Sequence, residues 1–201
     1  MFAVIFEVQP KSDRWDQYLD LAKLLRPELE QIKGFIDNER FKSRRTEGRL
    51  LSLSIWTDEK AVVRWRTHAM HHGVQEKGRF EVFEDYHLRV GEITADTHMP
   101  GREPPKQQRF DETEVGAAKV VSICEGEAAP MPPSTDVHDV ELYESITTSG
   151  KLLQLVSWRN AAAAESWQPP SVRHRRVRVI RDYGMADRRE APQYYPEVRR
   201  H

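Results

Sequence analysis

Residues 48–65 read GRLLSLSIWTDEKAVVRW and residues 150–167 read GKLLQLVSWRNAAAAESW; at this offset of 102, 7 of the 18 positions are identical. Ordinary residue frequencies would give about one match. The same offset pairs Glu39, Phe41 and Ser43 with Glu141, Tyr143 and Ser145. What repeats is a glycine, three leucines, an alanine and two tryptophans, the residues that turn a chain and fill a core. The chain is an internal duplication, and its fold is that of one copy paired with another.

Working outward from the first copy, FAVIFEV is a strand rich in β-branched and aromatic residues. Ser12-Asp13 opens a helical pattern that puts Trp15, Tyr18, Leu19, Ala22, Leu25 and Leu29 on one face. Pro27 is expected to kink or divide that helix, and Gly34 to stop it. FIDNERFKS and RLLSLSIW are strands joined by the polar turn RRTEG, and Thr57-Asp58-Glu59 starts a second helix that runs through RWRTHAMHH, bending at Gly73 and ending near Gly78. VFEDYHLRVGEI closes the unit. The order β-α-β-β-α-β is ferredoxin-like.

Residues 97–117 are rich in proline and charge and read as a linker between a domain at 1–96 and a degenerate second copy at 118–185, followed by a polar tail at 186–201. In the second copy only GEAAPMPPSTDVHD separates the first two strands, so its first helix is missing. Its second helix is cut short at Pro169-Pro170. A half without its helix leaves a sheet face to be covered, and packing the two sheets of one chain face to face does this. The fold class expected is α+β, tandem ferredoxin-like halves forming a barrel-type pseudo-dimer.

With a net charge of −1 and bases interleaved with acids, the chain lacks the footprint of a nucleic-acid binder. It has one cysteine, Cys124, and no apolar run of the roughly 20 residues that cross a membrane, so no membrane partner and a cytoplasmic location are expected. A homo-oligomer stays open.

The element order, the strand LLSLSIW leading into an acidic helix start, and the RW…H…Q..GR run on that helix resemble the antibiotic biosynthesis monooxygenase-like family. The resemblance covers residues 1–96 and, in degenerate form, 118–185. It implies the dimeric α+β barrel, formed here by one chain, and one of several activities. Members include cofactor-free oxygenases of aromatic polyketides, haem-degrading oxygenases, quinol-related enzymes and proteins without known activity.

On a helix each residue advances by about 100°. By that count Trp65, His68 and His72 share the apolar face with Val62 and Ala69, while His71 lies beside Arg64 and Lys60 and is wetter. One reading makes Trp65 core, as Trp167 repeats it without the histidines. A second is a metal site from His68 and His72 at i and i+4 with a third ligand among Glu7, His87 and Glu76, but there is no HExxH or CxxC, and no metal is assigned. A third is a pocket for a small aromatic molecule. The resemblance implies that a cofactor-free oxygenase stabilises a substrate anion with groups such as Asn38, Trp65, His68, His71, His72, Tyr86 and Arg89, with His68 or His72 as general base. Tyr86 and Arg89 have opposite parity on their strand, so only one can face the helices. Haem-degrading relatives place an iron-ligating histidine where this chain has Val74 and Gln75, and an asparagine where it has Phe6-Glu7. Haem is therefore a lesser expectation, and no cofactor is assigned.

Ser52, Ser54 and Ser157 lack a GxSxG elbow. Cys124 reads as a buried apolar residue, and RHRRVRVIR (173–181) as a salt-bridged edge strand, with an anionic ligand as the other reading. The function put first is a small monooxygenase acting on an aromatic or quinol-like substrate between helix 2 and the first sheet. The alternative is a non-catalytic binding or structural protein of the same fold.

Overall fold

The structure, a computed structural model, describes residues 1–99 and 105–192. The first copy comprises β1 (Phe2–Pro10), α1 (Trp15–Gln31), β2 (Phe35–Ser43), β3 (Leu50–Trp56), α2 (Glu59–Arg66), α3 (Ala69–Lys77), a π-helical turn at Gly78–Val82 and β4 (Phe83–Asp96). The second comprises β5 (Val120–Gly126), β6 (Val137–Ser145), β7 (Leu152–Trp158), α4 (Ala161–Ser166) and β8 (Arg173–Gly184). All pairings are antiparallel and the strands close into one barrel in the order β1-β3-β2-β6-β7-β5-β8-β4. Two seams join the copies, β2 with β6 and β4 with β8.

Strand alternation sorts the apolar residues into layers. Ala3, Ile5, Phe41, Leu51, Leu53, Ile55, Val121, Ile123, Tyr143, Leu153, Leu155, Val177 and Val179 fill the barrel interior. The opposite parity faces outward, where Phe2, Trp56 and Val90 meet Leu29 and Ala61 of the helices. The repeat signature is carried through to local geometry. Trp56 and Trp158 are fully buried, and each indole donates to a serine hydroxyl, Ser54 at 2.9 Å and Ser122 at 3.1 Å. Asp58 and Asn160 each cap their helix by accepting from the backbone three residues on. Gly48 and Gly150 sit at φ +75° and +76°, a left-handed turn conformation that explains why glycine is kept in both copies.

Four sequence expectations are corrected. Pro27 lies inside an unbroken α1; the carbonyl it orphans belongs to Lys23, on the same exposed face, where water can satisfy it. The second helix does not run through RWRTHAMHH but breaks at Thr67, whose hydroxyl bonds back to the Val63 carbonyl at 2.9 Å. His68 is then extended (ψ 128°) and becomes the N-cap of a new helix that continues through Gly73. β8 is no edge, because barrel closure pairs it with both β4 and β5. Its arginines do meet acids: Arg173 and Arg175 reach Asp96, and Arg178 reaches Glu92.

The missing helix of the second copy is confirmed by the run from β5 to β6, where Ala129 and Pro132 are buried instead. The described part of the inter-copy segment is fastened down: the backbone N–H groups of Gln108 and Arg109 donate to the fully buried Glu92 carboxylate at 2.5 and 3.0 Å. The tail sequence YYPEVRRH lies outside the described residues. No helix among them is long and apolar enough to cross a membrane.

Candidate functional site

Along β1 the inward positions run Ala3, Ile5, Glu7, opposite Gly91, Arg89 and His87 of β4. The interior is therefore apolar in its middle and turns polar at this end. Arg89 donates from Nη2 to Glu7 at 2.5 Å and from Nη1 to the Ser157 hydroxyl at 2.8 Å. The Tyr143 hydroxyl, from the other copy, donates to the second Glu7 oxygen at 2.6 Å. Burial alone would raise the Glu7 pKa, but Arg89, Tyr143 and His87 outweigh it and hold the carboxyl below its usual range. The Tyr143 phenol is pushed far up by burial and by the Glu7 charge, and stays a donor.

His87 stands at the rim of this cluster. Its Nε2 lies 2.6 Å from Asp182 of β8 and its Nδ1 3.6 Å from Glu7. A carboxylate only accepts, so an Nε2–H faces Asp182, and Nδ1 is turned toward the Glu7 carboxylate. These groups line a cavity of about 570 Å³ at the barrel mouth, completed by Arg49, His138, Asp139 and the loop from Val115 to Ala118. The loop is held by Glu190, which accepts from the Thr113 hydroxyl (2.7 Å), the Glu114 N–H (2.8 Å) and the Asp182 N–H (2.6 Å). Gly116 approaches Asp182 so closely that a Cβ there would sit 2.7 Å from its carboxylate. One half-buried acid thus ties the loop to the strand that carries Asp182, the partner of His87.

The residues singled out by sequence are divided between places. Arg89 is in the mouth, nearly fully buried. Tyr86 borders the cavity, but its ring packs outward on Phe6 and Phe83 at 5.7 and 6.1 Å, as the opposite parity required. Asn38 is buried on the outer side of β2, its Nδ2 donating to Ser52 and Leu53 at 3.0 Å each. The helical histidines reverse their expected order, because the break at Thr67 resets the angular count. His72 is exposed. His71 stacks on Trp65 with ring centres 4.1 Å apart and bonds the Trp65 carbonyl through Nδ1 at 2.9 Å. Burial pushes the His71 pKa down to about 4. His68 lies 3.6 Å from Glu28 and 5.8 Å, centre to centre, from the Trp65 ring. Trp65 is half-buried, whereas Trp167 is buried against Trp158. The buried thiol of Cys124 is pushed up to about 12, inert as a nucleophile. Among the described residues no group of three or more His, Cys, Asp or Glu side chains is arranged to hold a metal ion.

Sequence reasoning named Glu7 and His87 only as possible ligands and passed over Tyr143, Asp182 and Arg49. The available signal was parity: Glu7 shares a strand face with Ile5, and His87 shares one with Arg89. A charge placed on a core face is the mark of a site.

Residues 1–77 match the family described as Antibiotic biosynthesis monooxygenase. Over 214 aligned residues, covering 98% of this chain and 99% of the other, the sequence is 42% identical to "Jasmonate monooxygenase ABM" of Pyricularia oryzae. It is 32% identical to the uncharacterized protein YqjZ of Bacillus subtilis over 46% of this chain and 78% of that one. Among solved structures, an aldoxime dehydratase in complex with butyraldoxime superimposes with TM-score 0.56 at 10% identity, covering 92% of this chain and 80% of that one, a likeness of fold that takes in both copies.

Proposed function

The chain belongs to the antibiotic biosynthesis monooxygenase family, and from that premise we propose that it is a monooxygenase whose substrate, a small carboxylate bearing a carbonyl, of the jasmonate type, binds in the cavity at the barrel mouth. The observation that carries this reading is the His87–Asp182 pair opening onto that cavity. Likeness to a jasmonate monooxygenase along the whole chain supports the substrate class.

In the proposed step His87 takes a proton from a C–H acidified by a neighbouring carbonyl, and Asp182 stabilises the imidazolium that forms. Glu7, held as a carboxylate by Arg89 and Tyr143, adds a second negative charge beside the same ring. The substrate carbanion gives its electrons to O₂ and forms the C–O bond, and His87 returns its proton to the resulting peroxide. Loss of water breaks the O–O bond and leaves a carbonyl. A CH₂ group and O₂ thus give C=O and H₂O, with the substrate as the reductant. An aromatic or quinol-like substrate would pass through the same steps from a phenol anion.

A second location has one observation in its favour, the stack of Trp65 with His71 and His68, which offers a planar face on α2 and α3 with His72 nearby. The two locations separate under ¹⁸O₂ with jasmonate, an anthrone and a hydroquinone as substrates and no added reductant. One labelled oxygen in the product and one in water is expected for the jasmonate-type substrate. Product formed by His87→Gln at the parent rate would move the chemistry to the helices. Oxidation that requires NADPH would overturn the substrate-as-reductant route, and binding without oxygen uptake would make this a binding protein.

A further inference from the structure

The pseudo-twofold of the barrel matches each group at the mouth with one at the opposite end. The repeat offset pairs Arg49 with Lys151, Glu141 with Glu39, and Tyr143 with Phe41. Because Phe2 and Val120 face the corresponding tryptophans Trp56 and Trp158, Glu7 corresponds to Glu125. At the far end Lys151 bridges the two acids of its set, bonding Glu39 and reaching Glu125 at 3.0 Å, so its charge is consumed inside the protein.

Arg49 has no such bridge. Its two corresponding acids are Glu141 and Glu7, and both are taken. Glu141 accepts from Ser43 at 2.5 Å and from Arg45 at 2.8 Å, and Arg49 approaches it only to 3.7 Å. Glu7 is filled by Arg89 and by Tyr143, whose hydroxyl exists because this copy has tyrosine where the other has Phe41. Asp139, the next acid on the rim, is held by both Nη atoms of Arg45 at 2.7 and 3.0 Å. What remains is a guanidinium immediately before β3 that lines the cavity without a hydrogen-bonded carboxylate.

We infer that Arg49 is the specificity-determining residue of the mouth and binds the carboxylate of the substrate, placing the rest of the molecule across the cavity toward His87. A guanidinium is suited to this because its fork of N–H donors matches the two oxygens of a carboxylate. Of the acids around the cavity, Glu7, Asp139 and Asp187 each have an arginine partner and Asp182 faces His87, while Asp85 lines it as well. The inference rests on the mouth being the substrate site and adds a requirement for negative charge.

The test is calorimetric titration of the full chain with jasmonate and with its neutral methyl ester. Jasmonate is expected to bind about tenfold or more tightly than the ester, the factor that a charge-assisted hydrogen bond confers. Arg49→Gln should bring jasmonate down to the level of the ester and leave the ester unchanged, and Arg49→Lys should restore part of the preference. If Arg49→Gln does not fold, raising the salt concentration with the parent protein should weaken the acid alone. Equal binding of acid and ester, binding of neither, or undiminished jasmonate binding by folded Arg49→Gln overturns the inference. Arg49-dependent binding without oxygenation would sink the proposed activity and leave the anchor standing, whereas oxygenation with charge-blind binding would do the reverse.

Discussion

At one end of the barrel Asp96 is gripped by two arginines, Arg173 and Arg175, while at the other its counterpart Asp182 is held by His87. The correspondence follows from register: Asp96 faces Arg175 across the β4–β8 seam as Asp182 faces Arg89. Arg173 and His87 occupy the matching positions opposite Glu125 and Glu7. One end is closed by fixed charges that cancel one another. The other has a group that can gain and lose a proton, and a cavity beside it. The two ends therefore differ by an arginine at one of two equivalent positions and a histidine at the other, and the proposed chemistry sits at the histidine.

The most damaging way to attack this contrast is at His87. His87→Gln keeps a hydrogen bond to Asp182 but removes the base, and should lower kcat by about 10²–10⁴-fold with little change in melting temperature, whereas Arg173→Gln at the other end should leave kcat in place. Steady-state oxygen uptake decides it; equal rates for His87→Gln and the parent would erase the difference between the ends.

Stability should show the opposite asymmetry. Lys151→Ala leaves Glu39 and Glu125 facing each other in a largely buried setting, and a loss of roughly 2–3 kcal/mol is expected. Arg49→Ala, whose acids are already satisfied, should cost under about 1 kcal/mol. Urea denaturation of the two variants reads the comparison directly, and equal losses would mean that Arg49 is as structural as its counterpart.

The last effect expected is acid sensitivity in the second copy. His174, buried between Ser122 and Trp167, has its pKa lowered to about 4 by burial, then by the Arg176 charge. A histidine that ionises less readily when folded takes up its proton on unfolding, so its stability contribution is complete above about pH 6.5 and is lost as pH falls toward 4. Between pH 7 and 5 the loss should be about 2 kcal/mol, and His174→Gln should flatten that slope. A slope unchanged by the substitution would place the acid-sensitive group elsewhere.

Legibility in the sequence varied with the range of the interaction. The duplication, the caps at Asp58, the lost helix of the second copy and the opposite parity of Tyr86 and Arg89 are local patterns, and each was legible. The helical face failed because a single hydroxyl, Thr67 bonding back to Val63, ends the helix and rotates everything after it. No pattern of apolar residues records such a break.

The sequence by itself determined that two ferredoxin-like copies would form one barrel, because apolar periodicity and a seven-residue identity leave little else for the strands to do. It also determined which strand positions point inward, since alternation is a property of the backbone. Only the tertiary structure decided which inward charges meet. Glu7, His87, Arg89, Tyr143 and Asp182 come from four strands separated by up to 175 positions, and closure of the barrel is what sets them within hydrogen-bonding reach of one another. The same closure decided that Lys151 bridges two acids while Arg49 only approaches Glu141, because Glu7 is bonded by Arg89 and by a tyrosine from the other copy.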